Sequence, residues 1–486
     1  MSRTPRYLVL VLTLAIGCWA GAAMAAVKLP TIIGGDMVLQ QGCPVPIWGW
    51  ADKGEEVTVN FAGQSVSGKA GDDGRWEVKL AKLEATPNEK PLEMTIKGSS
   101  GEPITLKNIL VGEVWICSGQ SNMEMGIGIA QNAPAEIKAA DYPNIRLFTV
   151  TKSKVREPAS DVKGSWAECN SKTISTGGWG GFSAAAYYFG RDLYKKLKVP
   201  VGLIHTSWGG TAAELWTSKK ALEANPLLKD LAGHGENSSL YNGMIAPLVP
   251  FAIRGAIWYQ GEANVGRAAQ YRELLPTMIR NWRSEWKQGD FPFGVVQIAP
   301  FDYHGGIPEA ELWESQVYTA ESVPNTGLIT TMDIGELKNI HPKNKQEVGR
   351  RLAMWALAKV YGENVEYSGP IYKSMEIDGD KIKISFDHLD GGLKSRDGKP
   401  LTEFTITGPD GKFQPAKAEI EGSTVVVESD KVSNPVAVRF AFHDTAQPNL
   451  ESKEGLPAVP FRTDSGLPPV RTEQPGTAAK TPKSAK

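Results

Sequence analysis

Gly112-Glu113-Val114-Trp115-Ile116-Cys117-Ser118-Gly119-Gln120-Ser121-Asn122-Met123 decides how this chain is read. An apolar run of strand length ends in a glycine turn, and a short polar stretch that can open a helix follows. Working outward, the same grammar repeats. Short apolar strands are expected at 109–117, 201–206, 255–259, 294–298 and 326–331, with helical patterns at 184–196, 268–286 and 343–361 between them. Strands alternating with helices argue for an α/β domain built on a mainly parallel sheet. In the last helix Val348, Leu352 and Trp355 fall on one stripe, while Lys345 and Arg351 are expected to reach solvent. Ligands of open α/β sheets bind beyond the carboxyl ends of the strands, which is where Ser121 falls. Met123 occupies the place of the second glycine of a Gly-x-Ser-x-Gly elbow, so that motif is absent. A serine at such a turn also serves as a helix cap, and the local pattern alone does not separate the two roles.

The flanks read differently. Residues 27–108 alternate apolar and polar positions, as in Val57-Thr58-Val59-Asn60-Phe61, with turns such as Gly71-Asp72-Asp73-Gly74, and suggest a small β-sandwich. The α/β domain is assigned to 109–363, and a second β-rich module to 364–464. Residues 465–486, rich in Pro, Thr, Lys and Ala, read as a disordered tail. At the other end Arg3 and Arg6 precede a short apolar run, and Ala23-Met24-Ala25 offers a small-x-small cleavage site. Residues 1–25 are therefore expected to be a signal peptide cleaved after Ala25, giving a secreted or periplasmic protein. No later stretch is long and apolar enough for a membrane span. With 53 Lys and Arg against 54 Asp and Glu, no basic field for nucleic acid is present. Beyond the leader, Cys43, Cys117 and Cys169 allow at most one disulfide; Cys117, inside the apolar strand, reads as core packing or as the partner of Cys169. No Cys or His spacing suits a metal, and no cofactor is called for. The oligomeric state is left open.

Gly119-Gln120-Ser121-Asn122 resembles the first block of the SGNH hydrolases, in the branch that holds sialate O-acetylesterases and acetylxylan esterases. Three further blocks follow in that family's order: Ser207-Trp208-Gly209-Gly210-Thr211 with Glu214-Leu215-Trp216, then Ile257-Trp258-Tyr259-Gln260-Gly261-Glu262-Ala263-Asn264, then Ile340-His341-Pro342-Lys343-Asn344-Lys345. Gly181-Phe182-Ser183-Ala184 and Gln447-Pro448-Asn449-Leu450 extend the likeness over nearly all of the mature chain. It is strongest to the sialate O-acetylesterase group. The resemblance implies a flavodoxin-like three-layer core and removal of acetyl groups from a carbohydrate without a metal.

The chemistry of each block suits acyl transfer. Ser121 would be the nucleophile, and His341 the base that takes and returns its proton. Pro342 restricts His341 to extended backbone and itself suits a helix first turn. The Ser121 N–H, a glycine N–H (Gly210 preferred, Gly209 open) and the Gln260 amide would form the oxyanion hole; read alone, Gln260 is equally a buried structural amide. The family's usual aspartate position is Lys338 here, so Asp333 or Glu336 would orient His341, or a backbone carbonyl would, leaving a Ser–His dyad. Gln120, Asn122, Trp208, Glu214, Glu262 and Asn264 are expected to contact substrate. His205 competes with His341 but reads as a core histidine. The weighed alternatives are an acetylxylan esterase, a glycosidase using Glu214 and Glu262, and a non-catalytic sugar-binding protein.

Overall fold

The strand expected at 109–117 is the heart of a longer one, β1 (Ile104–Gly119), in which every residue from Ile109 onward is buried. Burial on both faces explains its unbroken apolar run. The computed structural model describes residues 27–86, 90–99, 101–303, 306–464 and 466. The expected signal peptide and nearly all of the expected tail lie outside them.

Six further strands join β1 in the core: β2 (Asp141–Thr149), β3 (Trp166–Asn170), β4 (Val201–Ser207), β5 (Gly255–Tyr259), β6 (Phe293–Val296) and β7 (Thr326–Ile329). Their order is β7-β6-β5-β1-β4-β2-β3, and every neighbouring pair is parallel except β2–β3. The sheet is thus mixed, with a parallel body and one antiparallel edge. From β1 the chain runs to β2 and the edge strand β3, returns to insert β4 beside β1, and then crosses to build β5, β6 and β7 on the other side. The loops after β1, β4 and β5 therefore meet where the strand order reverses.

Helices α1 (Ser121–Glu124), α2 (Ala184–Leu197), α3 (Ala268–Trp286), α4 (Pro308–Ser322) and α5 (Lys345–Lys359) complete this domain. Trp115 and Trp258 lie on neighbouring strands with side chains on opposite faces, because Trp258 stands in register with Ser118. Trp355 of α5 packs edge-on against Trp115, with ring centroids 6.3 Å apart, and Trp282 of α3 packs edge-on against Trp258 at 5.9 Å. Phe189 of α2 also packs edge-on against Trp115 (5.0 Å), so helices cover both faces.

The expected boundary at 108/109 falls inside β1, which also pairs with Val38–Gln40 and Leu92–Lys97 of the N-terminal module. Module and core share one strand. The ion pair of buried Glu113 with Arg254 (2.6 Å) reinforces the join, and Gln40 and Gln41 also bind Glu113. After α5 come, among the described residues, two four-stranded sheets and a two-stranded one, including Ile371–Asp378, Lys381–Asp387, Phe404–Thr407 and Thr424–Glu428, within the stretch expected to be β-rich.

One open alternative is decided, for packing, and two expectations are corrected. Cys117 and Cys169 are both free, because β4 and β2 separate their strands, a gap of roughly 14 Å at about 4.8 Å per strand. Lys345 and Arg351 are buried, not solvated. The α5 N-cap is Asn344, whose side chain accepts from Glu347 N–H, so Pro342 lies in the loop before the helix and not in its first turn. Among the described residues no helix is long and apolar enough to cross a membrane.

Helices α2 and α5 touch where Gly349 faces Tyr188 and Phe189. A Cβ on Gly349 would lie 2.4 Å from Tyr188 Cβ and 2.7 Å from the Phe189 backbone nitrogen. Gly349→Ala is expected to cost about 1–3 kcal/mol or more by overpacking, measured as a lower Tm and urea midpoint. An unchanged midpoint would show that the helices separate freely.

Candidate active site

β1 ends in a glycine for a steric reason. Gly119 has φ +143°, and a Cβ there would sit 2.1 Å from the Tyr259 carbonyl oxygen. That close approach lets Gln120 N–H donate to the same carbonyl (3.0 Å) as the chain turns into α1. Ser121 is the first residue of α1 and is half-buried, whereas Gln120 and Asn122 on either side are buried.

Asn122 joins the first block to the last. Its Nδ2 donates to the Ile340 carbonyl (2.9 Å) and to Glu262 Oε1 (2.5 Å), and its Oδ1 accepts from Lys345 Nζ (2.7 Å). Lys345 Nζ also donates to the Pro342 carbonyl at 2.7 Å. Asn339 binds the His341 backbone on both sides: Nδ2 donates to its carbonyl (2.9 Å) and Oδ1 accepts from its N–H (3.1 Å). The carbonyls of 340, 341 and 342 are each held by a different side chain. The segment that carries the imidazole is therefore rigidly attached to the residue after Ser121.

The β4 loop closes another side. A Cβ on Gly209 would lie 3.2 Å from Ser121 Cβ, so glycine is what allows this backbone to press against the serine. Gly209 N–H donates to Glu124 Oε2 (2.6 Å), and the other Glu124 oxygen pairs with Lys152 (2.5 Å). Gly210 is exposed with φ +72°. Neither its N–H nor that of Ser121 is taken by another backbone group among the described residues. The half-buried Trp208 ring carries the Lys152 and Lys154 ammonium groups 5.3 and 5.1 Å from its centre.

Several predicted residues have other work. Gln260 is wholly buried; its Nε2 donates to the Thr211 carbonyl and to Asn264 Oδ1, and its Oε1 accepts from Tyr271. Both amide hydrogens are engaged, so an oxyanion role is corrected to the structural one. Asn264 in turn donates to Glu214, which also pairs with Arg267 at 2.8 Å. Both are buried, so this network supports the β5 loop and does not face a sugar. With Glu214 engaged there and Glu262 held by Asn122, no free carboxylate pair remains for a glycosidase. Gln120 Oε1 accepts from Ala263 N–H (3.2 Å) and fixes the same loop.

The acid is corrected too. Asp333 forms a two-point pair with the buried Arg351 (2.7 and 2.6 Å) and is turned to that guanidinium rather than to His341. Glu336 accepts from Asn339 Nδ2 (3.1 Å) and Lys343 N–H (2.8 Å), staking the loop and not the ring. Among the described residues no carboxylate pairs with the His341 imidazole. Its neighbour is Trp179, edge-on at 4.8 Å between ring centroids. Burial, and secondarily the Lys345 charge, push the His341 pKa down to about 4. Burial likewise lowers Lys345 to about 7 and raises Glu262. His205 is a core residue as expected: it is buried, shares a 2.6 Å hydrogen bond with Ser207, and burial holds its pKa down to about 4.

Sequence reasoning missed Trp179, Glu124, Asn339 and Lys345. Trp179 carried a signal, standing alone in a run of glycines (177–181), and it is 40% exposed. Lys345 carried another, since it lies within the histidine block itself. Among the described residues no His, Cys, Asp and Glu cluster suits a metal.

The first and last blocks thus meet at the switch point of the sheet, where Asn122, the residue after Ser121, is bonded to the carbonyl before His341, and such an α/β arrangement is that of a hydrolase. Residues 111–358 match the family model described as carbohydrate esterase, sialic acid-specific acetylesterase, and the chain belongs to that family. It is a carbohydrate O-acetylesterase. Among its relatives is the sialate O-acetylesterase of Rattus norvegicus, 29% identical over 511 residues that cover 90% of this chain and 94% of the relative. The Homo sapiens sialate O-acetylesterase is 29% identical, covering 93% and 96%. The crystal structure of a carbohydrate acetylesterase from Xanthomonas citri is 37% identical with TM-score 0.84, over 90% of this chain and 100% of that one.

The role of Asp333 is directly testable. Asp333→Asn leaves the buried Arg351 with only its longer ionic contact to Glu347 (3.6 Å), a loss of up to about 3–5 kcal/mol for a broken buried pair. A stability deficit with kcat within a few-fold of wild type is the expected result. A fall of about 10⁴ in kcat at unchanged Tm would instead return Asp333 to the role of triad acid.

Proposed function

We propose that the chain hydrolyses O-acetyl esters on sialic acids through an acetyl-Ser121 intermediate. The core would be a flavodoxin-like SGNH three-layer domain, and Ser121 and His341 a catalytic dyad. One observation carries the reading: the Asn122 amide donates to the carbonyl of Ile340, so the residue after the nucleophile holds the residue before the base.

Ser121 Oγ attacks the acetyl carbonyl carbon as its proton passes to His341. The carbonyl oxygen becomes the oxyanion, within reach of the uncommitted N–H groups of Ser121 and Gly210. The tetrahedral carbon then expels the sugar oxygen, which takes the proton from His341. Water repeats the cycle on acetyl-Ser121, giving acetate and the free serine. Gly209 N–H, already bonded to Glu124, serves the shape of the loop. Trp179 beside His341 offers an exposed indole on which a sugar ring can stack. Sialic acid is favoured by the family description and by the relatives' names; acetylated xylan is the competing substrate. An export signal ending at Ala25 suits an enzyme that meets polymeric or cell-surface sugars, and a mature N-terminus at Ala26 is expected on sequencing the exported protein.

Acetate release is to be compared on O-acetylated sialic acids and acetyl-xylo-oligosaccharides. Turnover is expected on the sialates, and Ser121→Ala should lower kcat by about 10⁴–10⁶ without lowering Tm. Release from xylo-oligosaccharides alone would overturn the substrate. A fully active Ser121→Ala protein would overturn the mechanism.

A further inference from the structure

Lys345 has no part in the proposed chemistry, yet it is wholly buried at the start of α5. A desolvated ammonium is costly unless every proton finds an acceptor or a charge. Two acceptors are present, Asn122 Oδ1 and the Pro342 carbonyl, both 2.7 Å away. The Tyr259 ring lies 5.3 Å below, giving a cation–π contact. One acceptor belongs to the residue after Ser121, the other to the residue after His341.

We infer that Lys345 is a positioning residue of the esterase reaction, its single ammonium gripping the nucleophile's segment and the base's segment so that the two keep one fixed spacing. The inference rests on the Ser121–His341 reading above and deepens it. Asn122 grips the same loop from the other direction through the Ile340 carbonyl. The His341 backbone is therefore suspended between two bonds that both originate in the Lys345–Asn122 unit. Misplacing reacting groups by about 1 Å is enough to cost about 10²-fold in rate.

The ammonium also acts through its charge. The groups that face Lys345 are Glu262 from the β5 loop, Glu336 and His341 from the loop before α5, and the Tyr259 ring. Glu262 and Glu336 favour its charged form, and burial opposes it. Near pH 4, where His341 titrates, Lys345 is charged and its repulsion helps keep the imidazole neutral. Removing the charge lets the His341 pKa rise, so the acid limb of kcat/KM moves to higher pH. A side chain that only fills space would not move that limb.

The test uses Lys345→Met, of similar shape and without charge or donors, in the full chain. Hydrolysis of 4-nitrophenyl acetate is followed across pH 3–9, beside labelling of Ser121 by a fluorophosphonate. Expected are a fall of about 10² in kcat at little change in KM, and an acid limb shifted upward. Asn122→Ala is the second variant. It removes one acceptor but leaves the ammonium in place, so kcat should fall while the limb stays near its wild-type position. Wild-type kcat in Lys345→Met, or a loss with no movement of the limb, would overturn the inference. If Lys345→Met does not fold, Lys345→Arg and Lys345→Gln take its place: undiminished kcat in Lys345→Gln would overturn the inference, and a fall in kcat with an upward-shifted acid limb in Lys345→Gln but not in Lys345→Arg would support it. Wild-type protein that neither turns over ester nor takes the label would be a different failure, that of the dyad reading itself.

Discussion

A serine and a histidine that stand 220 positions apart in the chain, at 121 and 341, work together only if something holds their backbones in register. Here that is the fully satisfied side chain of Asn122. It spends both amide protons and its carbonyl oxygen on three partners from two distant segments, and it does so without exposure to water. Hydrogen bonds in such a place are worth more than at the surface, and losing one partner leaves the others unpaired. The geometry of the site is therefore as stiff as the sheet it grows from.

The sheet supplies the other half of the constraint. β1 is flanked by β4 and β5, and the chain reaches these neighbours by excursions in opposite directions. Three loops consequently converge beyond one strand end. Each is shaped by a backbone demand: Gly119 passes under the Tyr259 carbonyl, Gly209 lies against Ser121, and the β5 loop hangs on the buried Gln260–Asn264–Glu214 network. Polar residues of the second and third blocks thus shape the site largely from behind. Their sequence prominence reflects buried hydrogen bonds as much as contact with substrate.

This explains what could be read in advance. Strand and helix positions were legible because burial on both faces gives long apolar runs; β4 and β5 match their expected positions closely, whereas β1 extends five residues before its expected start. The meeting of the Ser121 and His341 blocks was legible because strand ends and block order point to it. The role of Asp333 was not, since a carboxylate near a histidine in sequence looks the same whether it faces the imidazole or a buried guanidinium. Arg351 and Lys345 misled for a related reason: helical periodicity assigns charged residues to solvent, and it carries no information about a partner from another segment, such as Asp333 or Asn122, that makes burial tolerable. Gln260 was ambiguous from the start, and only its partners decide.

A histidine without a carboxylate partner faces an energetic difficulty, because the imidazolium formed during attack has no adjacent anion to stabilise it. A base with a pKa near 4 is also intrinsically weaker than one near 6.5. The same depression has a compensating effect, since the ring remains unprotonated at every pH where sugar esters are ordinarily met. Clamping three consecutive carbonyls around His341 then removes the entropy that a mobile base would lose on each turnover. On the proposed dyad reading, the site would rely on a weak base whose backbone is held in place, with backbone donors at Ser121 and Gly210 left to meet the charge that develops on the acetyl oxygen. On this view the oxyanion donors, more than the histidine's basicity, carry the rate, in keeping with the dominance of electrostatic preorganisation in acyl transfer.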